Sequence, residues 1–305
     1  MDVSIIIVNY NTDKLLTECI HSVYLQTKEV SFEVIVVDNN SENFSSQDYT
    51  SLYKGIKVIF LDSNIGFGKA NNEGLKIAEG DYVFFLNSDT ILLNDAVSIL
   101  CNYLKEHASV GICGGNLYTK EEMPNMSYTQ SFPRVIDYLK LLMPFKSTSL
   151  TNDDIFNNIG RNIEIGGYIS GADLMIRKEL LNKYGGFDPS FFMYFEDVEL
   201  CYRIKKKGFE IHSVPFAKII HLQGASTFLK GEELKTRSHC FLVRSEFLYF
   251  KKTDPGILLQ FLWMSYLIKS VLALFFYKLV GNKSRIDYWK SNISVLKEVC
   301  DEKIV

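Results

Sequence analysis

Proline is scarce, at 6 of 305 residues, and no Cys-x-x-Cys pair occurs among the 6 cysteines. Cysteines as scattered as Cys19, Cys101, Cys113, Cys201, Cys240 and Cys300 exclude a zinc ribbon and a small disulfide scaffold, and predict a reducing, cytoplasmic compartment. An excess of basic charge is also missing. Against 36 Asp+Glu stand 33 Lys+Arg, a formal net charge of −3 at pH 7, so the footprint of a dedicated nucleic-acid binder is absent. The apolar run behind the N-terminus, Ile5 to Val8, is too short for a signal-peptide core, and no export signal is expected. With 47% hydrophobic and 23% charged residues and 19 glycines, the composition excludes wholesale disorder, collagen and low complexity. The length suits one large α/β domain with an appendage, or two modest domains.

The first hundred residues alternate short apolar runs with helical patterns. Val3 to Val8, Glu33 to Val37, Ile56 to Leu61 and Tyr82 to Leu86 are continuous and rich in β-branched or aromatic residues. Such runs predict parallel strands covered on both faces, because half-exposed strands alternate polar and apolar residues. Leu15 to Tyr24 and Ala70 to Ala78 place apolar residues at helical spacing, so the segment reads as a βαβ repeat. From Leu117 to Asn162 the pattern loosens around Pro124, Pro133 and Pro144. Regularity returns at Gly166 to Asp173, followed by the apolar Leu174-Met175-Ile176, a helical pattern over Lys178 to Tyr184 and a helix opening at Glu196-Asp197 through Lys205.

Ligands of such sheets bind beyond the carboxyl ends of the strands. Three polar clusters follow strands directly: Asn9-Tyr10-Asn11, Asp38-Asn39-Asn40-Ser41 and Asn87-Ser88-Asp89. Any one is an ordinary polar loop; their convergence is the signal. Glu196-Asp197 has a bland reading as acidic capping of a first helical turn, and Arg203 is expected to pair with Glu199 on its own helix.

Gly256 to Tyr277 is nearly all apolar and reaches the ~20 residues of a spanning helix. Lys269 in its middle makes a span costly. Lys251 and Lys252 before it, with Lys278, Lys283, Arg285 and Lys290 after it, would send a cationic tail outward. A helix or bent helical pair lying on the cytoplasmic face of the membrane is expected, with a buried oligomer interface as the alternative.

In order along the chain, Val3 to Asn11, Val36 to Ser41, Asn64 to Asn72, Leu86 to Asp89, Ser170-Gly171-Ala172 and Phe192 to Asp197 resemble the motifs of glycosyltransferase family 2, whose inverting members have the GT-A fold. The Asn-Ser-Asp form and the Tyr-Phe-Glu-Asp run are most similar to its rhamnosyltransferase-type branch, which builds bacterial surface polysaccharides. The resemblance, over about Val3 to Ser226, implies a mostly parallel, Rossmann-like sheet flanked by helices, so the catalytic domain is expected over residues 1–240; the apolar, base-flanked segment described above makes 241–305 a membrane-associating helical tail. The resemblance further implies a nucleoside diphosphate sugar donor, a glycan or lipid-linked acceptor and a divalent metal.

Sugar transfer from a nucleoside diphosphate demands a nucleotide pocket, neutralisation of the departing diphosphate and removal of the acceptor's proton. Tyr10 can stack on a pyrimidine and Asp38 can accept from its N3–H or from ribose, with Asn9 and Asn11 beside them. The resemblance puts Asn64, Gly66, Gly68, Lys69 and Asn71 along the donor, although Gly66-Phe67-Gly68 completes no phosphate-loop motif. It aligns Asn87-Ser88-Asp89 with an Asp-x-Asp metal signature, leaving Asp89 as the principal carboxylate ligand, and it aligns His221 with a histidine that completes the metal shell. Oxygen ligands suit Mg²⁺ or Mn²⁺, and an imidazole favours Mn²⁺. Gly171 and Asp173 stand as donor-sugar contacts. Asp197 matches the catalytic base, with Glu196 as its partner. Two rivals remain: a nucleotidyltransferase, and a catalytically silent nucleotide-binding scaffold on the membrane, which Asn87 favours.

Overall fold

A computed structural model describes residues 1–305 except 43, 45, 46, 54, 142–154, 159, 223–231 and 302–305; of 47, 48, 141, 155, 156 and 232–235 it describes the backbone alone. Two compact units emerge. One comprises Met1–Phe132, Asn152–Ser190 and Glu196–Ser226; the other comprises Pro133–Thr151, Phe191–Phe195 and Thr227–Val305.

The first unit opens with β1 (Val3–Asn9), α1 (Asp13–Gln26), β2 (Phe32–Asp38), α2 (Gln47–Leu52), β3 (Lys57–Phe60), α3 (Phe67–Ile77), β4 (Tyr82–Leu86), β5 (Thr90–Leu92), α4 (Ala96–Glu106), β6 (Val110–Tyr118) and β7 (Tyr128–Thr129). After α5 (Val135–Leu141), which belongs to the second unit, come β8 (Ile155–Phe156), β9 (Ile163–Glu164), β10 (Asp173–Arg177), α6 (Lys178–Tyr184), α7 (Glu196–Lys206) and β11 (Glu210–His221). The main sheet runs β3-β2-β1-β4-β10-β6-β11-β5, with β9 beside β11. Its first four strands are mutually parallel, as their apolar runs predict. Beyond β4 it is mixed: β10 runs antiparallel to both β4 and β6, while β11 is parallel to β6.

Continuous apolar strands make sense here because alternate side chains enter different cores. Ile5 and Ile7 of β1 join Val34, Val36 and Phe84 in a layer closed by Leu16, Cys19, Ile20 and Val23 of α1. Ile6 and Val8 join Ile35, Val37 and Phe85 on the opposite face, with Leu200 and Ile204 of α7 in the same cluster. The strand at the β3 edge is only partly covered, and Phe60 is exposed.

The second unit is helical: α5, α8 (Glu232–Thr253), α9 (Ile257–Val280) and α10 (Lys283–Asp301). Tyr138 of α5 meets Phe250 of α8 edge-on at 5.1 Å, and Trp263 Nε1–H of α9 donates to the Leu296 carbonyl of α10 at 2.7 Å. Helix α8 runs unbroken through position 240. It also carries the aromatic run ahead of α7: Phe192 stacks on Phe241 at 4.6 Å, Phe195 meets Tyr249 at 5.4 Å, and Ser245 Oγ–H donates to the Met193 carbonyl at 2.8 Å.

Candidate active site

The strand ends of the first unit are tied together by a continuous run of hydrogen bonds. Asn9 and Asp38 are register partners at the ends of β1 and β2. Asn9 Nδ2–H donates to Asp38 Oδ1 at 2.9 Å, and the Ser41 N–H donates to Asp38 Oδ2 at 3.0 Å. Asn9 Oδ1 in turn accepts from Thr12 Oγ1–H at 2.8 Å, and Thr12 Oγ1 shares a hydrogen bond with Ser88 Oγ at 2.9 Å. Next to Ser88, the Asn87 N–H donates to the Ala172 carbonyl at 3.0 Å. Beside Ala172, the Gly171 N–H donates to Asp197 Oδ2 at 2.8 Å. Asp38, Asp89 and Asp197, remote in sequence, are thus members of one bonded network or immediate neighbours of its links.

The acidic pair opens α7, after two consecutive left-handed residues, Tyr194 (φ 70°) and Phe195 (φ 64°). Non-glycine residues in that region cost on the order of 1–3 kcal/mol each and cluster at functional sites. Glu196 is buried and its Oε2 has no hydrogen-bond partner among the described residues. Burial, and then the Asp197 charge beside it, push the Glu196 carboxyl up to about 8. Burial raises Asp197 as well, but the N–H groups of Gly171 and Val198 oppose that rise. Donors stabilise the anion they face, so Asp197 is the ionised member and Glu196 holds the proton.

A raised folded pKa carries a stability signature. Glu196 contributes stability that is fully present below the ordinary carboxylate range and is lost as pH climbs toward about 8. Glu196→Gln is therefore expected to match the wild-type melting temperature near pH 4 and to exceed it increasingly up to pH ~8. Thermal melts across that range check this, and a constant difference would remove the shift.

Gly171 is the close approach that this arrangement requires. A Cβ built on it would lie 3.1 Å from both Cβ and Oδ2 of Asp197. Gly171→Ala is expected to fold, to keep donor KM and to lower kcat about tenfold by displacing the carboxylate. Steady-state kinetics separates that outcome from lost donor binding.

Three donors gather past the end of β4. His221 Nε2 lies 3.4 Å from Asp89 Oδ1 and 3.3 Å from Asn87 Nδ2, because the antiparallel register of β11 on β5 sets His221 opposite Thr90. Asn87 Oδ1 and His221 Nδ1 are buried without partners among the described residues. Among those residues no three His, Cys, Asp or Glu side chains cluster. The set here is one carboxylate, one imidazole and one amide, and it suits a borderline-hard divalent cation. The Gln223 to Ser226 stretch that follows lies outside the described residues.

Other predicted contacts also have structural partners. Gly66 adopts φ 92° at the start of α3. A Cβ on Gly68 would stand 3.0 Å from that of Phe187 and 3.5 Å from that of Glu196, so both glycines serve the turn and the packing of α3 against the acidic pair. Asn64 Oδ1 accepts from Gly66 N–H and Asn39 Nδ2–H, both at 3.0 Å, and Asn71 Nδ2–H donates within its helix to Phe67 O at 3.1 Å. Asn11, at φ 55°, receives the Glu42 N–H at 2.9 Å. Tyr10 is partly exposed and Lys69 exposed. Asp173 is wholly buried, with Oδ2 accepting from the Gly115 N–H of β6 at 2.6 Å and Oδ1 without a partner among the described residues, and burial lifts its carboxyl well above the usual range.

Sequence reasoning passed over Thr12, whose spacing of three from Asn9 is the side-chain-to-backbone turn pattern that could have revealed it. It also passed over Asn72, which grips Phe187 at both N–H (2.9 Å) and C=O (2.7 Å). Arg203 pairs with Glu199 at 2.8 Å as expected, and in addition donates to the carbonyls of Tyr184, Gly185 and Gly186 at the end of α6.

Known proteins share this architecture. Staphylococcus aureus TarS, residues 1–349, superposes with a TM-score of 0.53 at 17% identity, covering 98% of this chain and 92% of that one. GalNAc-T7 with UDP, GalNAc and Mn²⁺ gives 0.55 at 17% identity over 72% of this chain and 44% of its own. Rhamnosyltransferase WbbL of Escherichia coli K12 is 26% identical over 230 residues, 72% of this chain and 83% of the relative. The dTDP-rhamnosyl transferase RfbF of Shigella flexneri is 23% identical over 296 residues, 94% of this chain and 92% of the relative. Glycosyl transferase family 2 matches residues 4–185, the stretch that holds every link of the network except Asp197 and His221. The chain accordingly belongs to glycosyl transferase family 2, is a glycosyltransferase, and resembles the rhamnosyltransferase branch of that family.

Proposed function

We propose that the chain transfers rhamnose, with inversion, from deoxythymidine diphosphate rhamnose to a hydroxyl of a lipid-linked glycan in bacterial surface-polysaccharide synthesis. The donor follows from its likeness to WbbL and to RfbF, a dTDP-rhamnosyl transferase by name. The observation that carries the catalytic part is the hydrogen-bonded run linking Asp38, the Asn87-Ser88-Asp89 turn and Asp197.

In this reading Tyr10 and Asp38 hold the base and ribose at the ends of β1 and β2. Asp89, His221 and Asn87 would hold a divalent cation, which would neutralise charge developing on the departing diphosphate. Asp197 takes the proton from the acceptor hydroxyl as its oxygen bonds to the anomeric carbon. The bond from that carbon to the diphosphate breaks, and its electron pair leaves with the nucleoside diphosphate. Attack opposite the leaving group inverts the centre. Gly171 holds the Asp197 carboxylate in place through Oδ2, while protonated Glu196 leaves the base as the single negative charge of the pair.

A screen of nucleoside diphosphate sugars by mass spectrometry, with a lipid-diphosphate glycan acceptor, tests the donor. Product from deoxythymidine diphosphate rhamnose with an inverted anomeric centre is expected; transfer only from another donor, or retention, overturns the reading.

A further inference from the structure

Helix α9 has two different faces. Toward its own unit it buries Leu259, Leu262 and Ser270, and Tyr266 meets Phe247 of α8 edge-on at 5.4 Å. On the other side Phe261, Met264, Ile268, Leu272, Phe275 and Leu279 recur every three or four residues and are 47–73% exposed. That spacing draws one straight apolar stripe down a 24-residue helix of roughly 36 Å. Soluble monomers rarely expose a contiguous apolar patch beyond about 300–600 Å².

By length and composition α9 is apolar enough to cross a bilayer. Its neighbours speak against crossing. The helices packed along it bring Lys283, Arg285, Asp287, Lys290 and Glu298, and each charge carried into hydrocarbon costs about 2.5–3.5 kcal/mol. A second copy of the chain is also a poor fit. The midpoint of α9 falls at positions 268–269, so an antiparallel two-fold pairing of stripes would set exposed Lys269 beside its own copy.

Charge names the partner. Residues 256–286 carry four basic side chains, Lys269, Lys278, Lys283 and Arg285, and no acidic one, in a chain whose net charge is −3. All four are exposed. We infer that α9 lies flat in an anionic membrane surface, its stripe at the acyl boundary and its lysines reaching the headgroup phosphates, without crossing. The proposal rests on α9 alone and stands whichever sugar donor is used.

Flotation of the full chain with phosphatidylcholine vesicles, with and without phosphatidylglycerol, tests it. Binding is expected to anionic vesicles, to fall in high salt, and to be released by alkaline carbonate. Removing Lys278 or Lys283 (each to Gln) weakens partition about fivefold, and Leu272→Glu with Phe275→Glu abolishes it while circular dichroism stays unchanged. Equal binding with and without phosphatidylglycerol, or retention after carbonate, overturns the inference. So does a lipid-free dimer in sedimentation that the double glutamate variant dissociates.

Discussion

Asp197→Asn is expected to lower kcat about 10²- to 10⁴-fold, the usual contribution of a positioned general base, with donor KM and melting temperature nearly unchanged. The substitution keeps the side chain's volume and leaves its oxygen able to accept from the Gly171 N–H, now 2.8 Å from Oδ2. It removes the one carboxylate of the pair that its surroundings keep ionised, since Glu196 beside it is lifted to about 8 and stays protonated near neutrality. Burial raises Asp197 above the ordinary aspartate range, so the wild-type kcat profile should fall on the acid side at a pH higher than an exposed aspartate would give. The variant loses that acid limb. Wild-type turnover by Asp197→Asn at neutral pH would end its assignment as base, while a rise in donor KM with unaltered kcat would move it to donor binding.

The part of the molecule that reads most directly from sequence is β1 to β4. There each strand is buried on both faces, and residue type alone reports that condition: Ile5, Ile6, Ile7, Val34, Ile35 and Val36 are all fully buried. The far half of the sheet is harder for a physical reason. In β6 the apolar run is broken by Gly111, Gly114 and Gly115, which look like loop residues yet permit tight packing; a Cβ on Gly115 would meet the Ala217 carbonyl at 2.5 Å. The insertion of β10 between β4 and β6 is a pairing between distant segments that no local pattern encodes. At the site, motif order located the strand-end clusters, but an Asn or Asp has the same letter whether it binds a ligand or ties two loops. Asn9 is fully buried and its amide is committed to Asp38 and Asp13. Asp173 is held inside by a backbone N–H. Only the direction of the side chain separates these cases, and direction is a property of the fold.

Asp89→Ala is expected to cost about 10²-fold or more in kcat, comparable to removing one preorganised stabiliser of developing charge, and to abolish stimulation by Mn²⁺ or Mg²⁺. Asp89 is the single carboxylate of the cluster; what remains is an imidazole and a neutral amide, 3.3 Å apart. Its side chain is buried, and its partner at 3.4 Å is the His221 imidazole, which is charged only when protonated, so with the ring neutral the loss of Asp89 leaves no buried ion behind and folding survives. The paired variant runs the other way. Asn87→Asp restores a second hard oxygen ligand next to His221, where the Asn87 Oδ1 is buried and unpartnered among the described residues. It is expected to lower the Mn²⁺ concentration for half-maximal activity by about tenfold, since ligand charge governs such affinities. Metal titrations of both variants, read as activity and as metal binding by calorimetry, decide the matter. Unchanged metal response in Asp89→Ala would take the cation away from the end of β4, and with it the neutralising role given to His221 and Asn87.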